Sequence, residues 1–592
     1  MVDIAEVLRA GLAHQQAGRV AAAASAYRRV LAELPDQPNA LALYGHLLAP
    51  ENPTEAEKYL TRVAALRPDD AEARLALGNL AQRGGHPDRA ARWWRDALAV
   101  RPGHVGATVN LAGHCRARGD FASGIAVCRA ALAHAPEVAV LWLALAETLL
   151  ADAQFQAALS AADAALARGL ASAPVLLVRG TAQAALGPPG AAEPWLRAAC
   201  RLAPADARAA LHLGNVLIDL DRWDEAAIWL DLAIERDPEL PEALTSRGVL
   251  FARCGALATA QTYHRRALAQ RPNFAEAWSN LAAALLLAGD YPAGFAAYEW
   301  RKRNPRFGHG YWRGTAPEWR GEPLEGRRLL VFCEQGLGDA LMMARYFPRL
   351  VAAGARLVLV CAAPLVPLFQ GLEGVTQIVR RGPYPSPHLV AAGETIPDHD
   401  FYIDSLSLPR VFGATRDTVA VPAPYLRPSP ERLAAWRHRL KPGVRLGVVW
   451  AGNPAHSDDR SRSLPVEVLA PLKDLPGCQG VALQPHGEVP DWLLNVQADL
   501  TDMAETAALV STLDAVITVD TAVGHLAGAL CVPTALLLPF APDWRWALGR
   551  NDTPWYAGHR LFRQNRRGDW HEPVAAALAW LQHRGCRSTP EP

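Results

Sequence analysis

A glycine-rich turn that ends on an acid is the first segment whose residues could do chemistry. It reads EQGLGD at residues 334–339, between a run typical of a β-strand and one typical of a helix. Gly336 and Gly338 permit a tight turn and close approach of a ligand, and Asp339 is expected at the helix N-terminus, facing a cleft. The ordinary alternative is a strand–helix turn whose aspartate caps the helix. The spacing matches neither the dinucleotide-binding glycine pattern nor a P-loop.

A second polar segment, WAGNPAHSDDRSRS at 450–463, also follows a predicted strand. Its small residues leave space for a ligand beside Asn453. The guanidinium groups of Arg460 and Arg462 are suited to phosphate oxygens. The alternative is a solvated polar loop with no ligand.

The third segment, DTAVGHLAG at 520–528, joins an apolar strand to a helix. Helix N-terminal amides at this point would bind a diphosphate, and Asp520 and Thr521 would take ribose or sugar hydroxyls. Gly524 lies in the first turn of the helix. His525, four positions after Thr521, shares its helix face and is expected at the same ligand, although a lone histidine is often only a core or surface residue.

The fourth segment, LPFAPDWRW at 538–546, places aromatic rings beside an arginine after another predicted strand. Trp544 is expected to stack on a nucleotide base while the arginine steadies a phosphate. Hydrophobic packing of the loop is the alternative.

Alternating strands and helices must position these four segments, which is typical of a layered α/β fold. We predict helices over 339–352, 431–440 and 574–582, and strands over 328–334, 356–361, 401–403, 445–451, 480–484, 515–520 and 534–538. Ligands in such open sheets bind beyond the carboxyl ends of the strands.

A proline-rich junction near 422–442 divides this half of the chain into two similar units. We predict two Rossmann-like lobes that face each other across a cleft, at 327–430 on the acceptor side and at 440–592 on the nucleotide side. Residues 306–326 are rich in Gly, Arg and Trp and are expected to be a linker that packs on another element.

The first half of the chain repeats with a period of 34 residues. Prolines recur at this spacing or twice it, at positions 68, 102, 136, 204, 238 and 272. Small residues recur at a fixed offset, as Gly78, Ala112, Ala146, Gly180, Gly214, Gly248 and Ala282. Close packing of paired helices requires such small residues, and the proline ends the second helix of each pair. The pattern resembles the tetratricopeptide repeat over residues 1–305, with eight or nine repeats.

An array of this kind is an α-solenoid, expected to form a right-handed superhelix whose concave groove binds extended protein segments. A spacer or a dimer contact is the alternative role. A formal net charge of +1 gives no general attraction to nucleic acid. We read neither a signal peptide nor a transmembrane segment, and the nine scattered cysteines favour a reducing cytoplasm.

Together the four segments resemble a known enzyme group. The C-terminal part looks like the bacterial glycosyltransferases of the GT-B fold related to the lipopolysaccharide heptosyltransferases, glycosyltransferase family 9, and more specifically their tetratricopeptide-fused cousins. The match spans about 330–575, with the segments in the family's order. The fold it implies is an α-solenoid followed by an α/β GT-B fold of two Rossmann-like lobes.

The resemblance also implies roles for individual positions. Asp339 matches the acid proposed as general base, with Gly336 and Gly338 shaping the acceptor-side loop around it. The matches to the donor-binding segment are Asp520, Thr521, Gly524 and His525. The family's phosphate-binding lysine is missing from 450–470, so Arg460 or Arg462 is expected to replace it.

The implied function is inverting transfer of a sugar from a nucleotide-sugar donor, without a metal or other cofactor. A protein acceptor recruited by the repeats is expected by analogy with the O-linked N-acetylglucosamine transferases and with solenoid-bearing enzymes that glycosylate flagellin. Only two positions of the former family's groove asparagine column agree here, Asn110 and Asn280. We interpret Asp398 and Asp400, which have the spacing of a metal-binding motif, as surface charge.

Two other functions stay open on the sequence. One is a non-catalytic tetratricopeptide scaffold with a degenerate transferase domain. The other is a lipopolysaccharide heptosyltransferase, for which we identify no basic membrane-facing segment.

Overall fold

Paired antiparallel helices make up the N-terminal part of the computed structural model, which describes residues 3–304, 307, 314–382, 388–421, 424–454, 458–475 and 477–585. Internal contacts divide the chain into two units, Met1–Pro238 and Glu239–Pro592. The helices described in the first unit are α1 Ile4–Gln16, α2 Val20–Glu33, α3 Pro38–Leu48, α4 Pro53–Leu66, α5 Ala71–Arg83, α6 Pro87–Val100, α7 Val105–Ala117, α8 Phe121–His134, α9 Ala139–Ala151, α10 Phe155–Ala167, α11 Ala173–Leu186, α12 Glu193–Leu202, α13 Ala207–Asp219 and α14 Trp223–Arg236.

Local sequence explains where these helices begin and how they pair. Asp70 and Asp206 cap α5 and α13, each with its side chain accepting a backbone N–H of the first turn. Small residues let the paired helices approach. A Cβ added at Gly78 would lie 2.3 Å from the indole nitrogen of Trp94, and one at Gly214 would lie 2.8 Å from the Leu230 side chain. The small-residue column therefore marks the helix–helix contact.

The second unit starts with four more helices of the same kind and continues into the α/β region. These helices are α15 Pro241–Arg253, α16 Leu257–Gln270, α17 Ala275–Ala288 and α18 Tyr291–Tyr298, followed by the 3-10 segment Glu299–Arg303. Contacts thus group the last two helical pairs with the α/β region, whereas the repeat pattern alone places the boundary at residue 305.

Aromatic side chains explain this grouping. Phe295 of α18 packs edge-on against Trp544 at 5.8 Å between ring centroids, and Tyr291 lies 5.6 Å from Trp555. Tyr291 and Phe295 are each 1% exposed, so the end of the repeat array shares a hydrophobic core with the α/β region. Burial of large aromatic side chains dominates the energetics of such a contact.

The first sheet has four parallel strands in the order β3-β2-β1-β4. The strands are β1 Arg328–Phe332, β2 Arg356–Cys361, β3 Val375–Arg380 and β4 Phe401–Asp404, and the accompanying helices are α19 Leu337–Met343, α20 Phe347–Ala352, α21 Val366–Phe369 and α22 Leu408–Val411. The single helix expected over 339–352 is two helices joined by the 3-10 turn Ala344–Tyr346. Pro348 has no N–H to continue the first helix, which explains the break.

The second sheet has six parallel strands in the order β10-β9-β8-β5-β6-β7. They are β5 Val444–Val449, β6 Cys478–Ala482, β7 Leu494–Asn495, β8 Ala515–Val519, β9 Thr534–Leu538 and β10 His559–Arg563, with helices α23 Pro430–Arg439, α24 Asp459–Arg462, α25 Met503–Val510, α26 Ala522–Ala529 and α27 His571–Gly585. Because β5, β8 and β9 are adjacent, the three candidate segments that follow them emerge at one edge of this sheet.

The expected linker is described only in part. Tyr311 and Trp312 lie outside the described residues, whereas Trp319 is 5% exposed and packs edge-on against Phe412. Within the described ranges, no helix combines the length and the apolar character needed to cross a membrane.

Candidate functional site

The turn between β1 and α19 brings Asp339 to the carboxyl end of the first sheet. The backbone N–H of Gly336 donates to Asp339 Oδ2 at 2.9 Å, so the carboxylate closes the turn that carries it. Gly338 is required for a different reason, because a Cβ there would lie 2.7 Å from His525 Cδ2 on α26. Helix α19, which follows a strand of the first sheet, and helix α26, which follows a strand of the second, therefore meet directly beside Asp339.

Arg545 links the two sheets at this point. Its guanidinium forms an ion pair with Asp339 and a second one with Asp543, at 2.6 Å. The side chains of Arg545 and Asp339 are only 11% and 14% exposed. An arginine keeps its charge even when buried, so this contact places a permanent cation between two carboxylates. From the sequence, Arg545 is expected only to bind a phosphate. Its ion pair with Asp339 could not be predicted, because the two residues are 206 positions apart.

Asp520 follows the end of β8, and its surroundings raise the pKa of its carboxyl group. Burial and, to a smaller extent, the neighbouring Asp543 raise the pKa of its carboxyl group to about 6, although Arg545 and Arg462 act in the opposite direction. Arg545, which pairs with Asp339, therefore also acts on Asp520, so the two acids belong to one electrostatic cluster.

The N-terminus of α26 lies next to this cluster. Thr521 is the N-cap residue, its carbonyl accepts the N–H of Gly524 at 3.1 Å, and its hydroxyl is 3.1 Å from that of Thr518. A Cβ at Gly338 would be 3.5 Å from the Cα of Ala522, so the first turns of α19 and α26 abut. The partial positive ends of both helices thus point to the same region.

His525 and Gly524 face the protein interior. His525 is 4% exposed, its Nδ1 is 2.9 Å from the Tyr556 hydroxyl, and its ring stacks on Trp546 at 5.2 Å. Burial and the nearby Arg545 lower the pKa of His525 well below its usual value, so the imidazole is neutral. The carbonyl of Gly524 accepts a hydrogen bond from His559 Nε2 at 3.0 Å. Their contacts position α26, whereas the sequence had placed both at the donor.

Trp544 is also covered by protein. It is 5% exposed and is enclosed by aromatic rings that include Phe295 and Tyr298, with centroids at 5.8 and 6.1 Å. A base-stacking surface needs an open ring face, so this expected role does not fit Trp544 in the structure. The residue instead anchors the Arg545 loop on α18.

The segment after β5 divides into exposed and half-buried residues. Asn453 and Arg460 are exposed, and His456 lies outside the described residues. Arg462 is 18% exposed, pairs with Asp459 at 3.2 Å and acts on the pKa of Asp520. Of the two arginines expected to replace the family's lysine, Arg462 is therefore the one beside the acidic cluster.

A buried polar cluster behind the turn was not foreseen from the sequence. Arg301 and Glu334 are both 0% exposed and form an ion pair, with Arg301 Nε donating to Glu334 Oε2 at 3.1 Å. Nearby, Lys302 binds Asp404 at 3.1 Å. Burial favours the neutral acid, but His388 and Lys302 lower the pKa of Asp404 below its usual value. These charges lie far apart in the sequence, which explains why periodicity and motif spacing did not reveal them.

Asp398 and Asp400 are far from this edge of the sheet. Asp400 directly precedes β4, accepts the backbone N–H of Arg328 at 2.8 Å and pairs with Arg327 at 3.0 Å. It therefore caps the amino end of the first sheet, opposite the candidate site.

The comparison with protein families concerns the repeats. A tetratricopeptide repeat family model matches residues 75–139 and 201–241. The chain is also 26% identical to "Protein FlbA" of Caulobacter vibrioides (strain ATCC 19089 / CIP 103742 / CB 15) over 438 residues, which covers 64% of this chain and 72% of that protein.

Solved structures also match part of the chain at low sequence identity. A chain of the APC/C hetero-tetramer Cut9-Hcn1 is 17% identical, with a TM-score of 0.36, and the match covers 47% of this chain and 55% of that one. YrrB, described as a TPR protein with an unusual peptide-binding site, is 19% identical, with a TM-score of 0.22, covering 37% of this chain and 95% of that one. Pseudomonas aeruginosa PilF is 19% identical, with a TM-score of 0.31, and the match covers 36% of this chain and 96% of that one.

The sequence prediction of tetratricopeptide repeats is thereby confirmed. The chain combines a helical solenoid of such repeats with an α/β region of two parallel sheets.

Proposed function

We propose that the protein is a GT-B-type glycosyltransferase that moves a sugar from a nucleotide-sugar donor to a protein acceptor recruited by the repeats. The observation that carries this proposal is the meeting of separate segments at the carboxyl ends of the strands. Asp339 after β1 and Asp520 after β8 belong to different sheets, and Arg545 after β9 acts on both. Such an edge is where open parallel sheets bind their ligands.

The donor's diphosphate would bind at the N-terminus of α26. Two arginines supply positive charge there, Arg462 and Arg545, and helix amides favour an anion in the same place. Asp520 would accept a hydrogen bond from a sugar or ribose hydroxyl. The exposed Asn453 and Arg460 would contact only the outer parts of the donor.

Asp339 would act as general base. It removes the proton from the acceptor hydroxyl while that oxygen attacks the anomeric carbon, and the bond from this carbon to the diphosphate oxygen breaks. The diphosphate leaves with the bonding electron pair and is stabilised by the arginines and the helix amides. Attack opposite to the leaving group inverts the configuration of the sugar.

Arg545 has to change partner during this reaction. In the structure its guanidinium is paired with the carboxylate of Asp339. When a diphosphate binds, its charge competes with Asp339 for Arg545. Donor binding would thus release the base, which predicts that the donor binds before the acceptor.

The repeats would recruit the acceptor, because solenoids of this type present extended concave surfaces. The mode of binding differs from an asparagine ladder. Asn110 Nδ2 donates to Asn79 Oδ1 at 2.7 Å, so this amide is engaged within the array.

A nucleotide-sugar panel tests the proposal. The purified full-length protein is incubated with UDP-, GDP-, ADP-, CMP- and dTDP-sugars, alone and with cell extract, and nucleotide release is measured. We expect release from one donor class, stimulated by extract. If no donor binds or turns over, the alternative of a non-catalytic tetratricopeptide scaffold replaces the enzyme.

A further inference from the structure

The turn that presents Asp339 is held by side chains from the end of the repeat array. The Tyr298 hydroxyl, at the last position of α18, lies 3.3 Å from Gln335 Oε1 and 3.2 Å from Gln335 Nε2. Gln335 has a φ of 58°, a left-handed conformation that costs free energy for a residue with a side chain. Such a conformation persists only where surrounding contacts enforce it.

Arg301 holds the residue immediately before this one. Its Nη2 donates to Glu334 Oε1 at 2.5 Å and to Ser407 Oγ at 2.9 Å, and Glu334 also accepts the backbone N–H of Leu406 at 3.3 Å. A fork of two parallel hydrogen bonds fixes the orientation of a carboxylate as well as its position. The start of the turn is therefore tied to the repeat array and to the segment after β4.

The opposite side of the turn is held by the first sheet itself. Arg381, which follows β3, donates to the carbonyls of Cys333 and Gln335 at 2.7 and 2.9 Å. The contacts from Tyr298 and Arg301 are those that the end of the repeat array contributes to this turn.

We propose that Tyr298 and Arg301 are positioning residues that set the conformation of the 334–339 turn, so that the last repeat belongs to the reaction site instead of the acceptor-recruiting surface. The catalytic consequence rests on the proposed glycosyl transfer, whereas the conformational one does not. Both residues act through the turn and neither touches the reacting atoms.

Hydrogen–deuterium exchange on the full-length protein tests the conformational part. Tyr298→Phe keeps the ring and removes only the hydroxyl, and Arg301→Lys keeps the charge but loses the fork. We expect the amides of residues 335–338 to exchange about fivefold faster in Tyr298→Phe, because the contacts of the hydroxyl with the Gln335 amide are lost, and at least as fast in Arg301→Lys. Tyr263→Phe on α16, whose ring packs on Phe251, is the matched control and should leave these amides unchanged.

Kinetics test the catalytic part. In Tyr298→Phe we expect kcat for transfer to fall about fivefold or more, while KM for the donor stays within about twofold. Exchange at 335–338 that equals wild type in both variants overturns the inference. A wild-type protein without any nucleotide-sugar turnover overturns the proposed function instead, and the exchange result still decides whether the last repeat sets the turn.

Discussion

Replacement of Asp520 by Asn should stabilise the protein while it weakens donor binding. The pKa of Asp520 is raised from 3.8 to about 6, mainly by burial and then by the negative charge of Asp543. The folded state therefore prefers the protonated acid, so a loss of stability sets in as the pH rises through 3.8 and is complete above about pH 6. Asn is neutral and nearly isosteric, so it removes this penalty.

The size of the effect follows from the pKa difference. A shift from 3.8 to about 6 corresponds to about 3 kcal/mol at pH 8, at about 1.4 kcal/mol per pKa unit. At pH 5 the folded state is largely protonated at Asp520 already, so the penalty falls to about half that value. We expect Asp520→Asn to gain about 1–3 kcal/mol at pH 8 and clearly less at pH 5. Loss of a charged hydrogen bond to the donor should raise its Kd about tenfold or more.

Denaturant unfolding at pH 8 and pH 5, followed by tryptophan fluorescence, measures the stability change. Asp400→Asn is the control with the opposite sign, because hydrogen bonding from Arg328 lowers the pKa of Asp400. That variant should be less stable than wild type at pH 8. An Asp520→Asn protein that is destabilised by the same amount at both pH values would refute the reasoning, since it would show that ionisation of Asp520 carries no penalty in the folded state.

Two further changes test the packing around the site. Gly338→Ala should lower the free energy of unfolding by about 1–3 kcal/mol and reduce transfer, because its Cβ meets the imidazole of His525, which Tyr556 and Trp546 hold in place. Gly371→Ala is the control, since there is open space around its Cβ, and equal stability of the two variants in urea unfolding would contradict the close helix contact. A fragment of residues 239–592 should be soluble and bind donor, whereas a fragment of residues 305–592 should aggregate because it lacks the buried aromatic rings of α18. Size-exclusion chromatography and donor titration measure this difference, and equal results for the two fragments would contradict the shared core.

Repeats and buried strands could be predicted from the sequence because their signals are local. The 34-residue period locates the helical pairs, and the apolar runs of β2 and β9 match the expected 356–361 and 534–538 at both ends. Buried parallel strands read as short apolar runs, so their bounds are visible.

Two of the edge strands, β3 and β10, could not be predicted in the same way. β3 reads VTQIVR and β10 reads HRLFR, and both lie at an edge of their sheet, where polar side chains reach solvent. They have no continuous apolar run, and neither alternates strictly, so the sequence signal is weak.

The candidate site was predictable in its segments but less so in its individual contacts. Asp339 and Asp520 lie where strand–turn–helix patterns place them. His525 and Trp544 were assigned to the donor because their residue types suit it, but each is covered by side chains from distant parts of the chain. The pairing of Arg301 with Glu334 could not be predicted either, because nothing near one residue in the sequence indicates the other.

Single-turnover transfer by Asp339→Asn, with the donor and extract identified in the nucleotide-sugar panel, tests the central claim most directly. Asn keeps the size of the side chain and can still accept the N–H of Gly336, but it cannot take up the acceptor's proton. We predict that the transfer rate falls by about 10²–10⁴-fold, while nucleotide diphosphate binding stays equal to wild type or becomes tighter because Arg545 is released. Transfer at the wild-type rate by a protein that still binds donor would contradict the account.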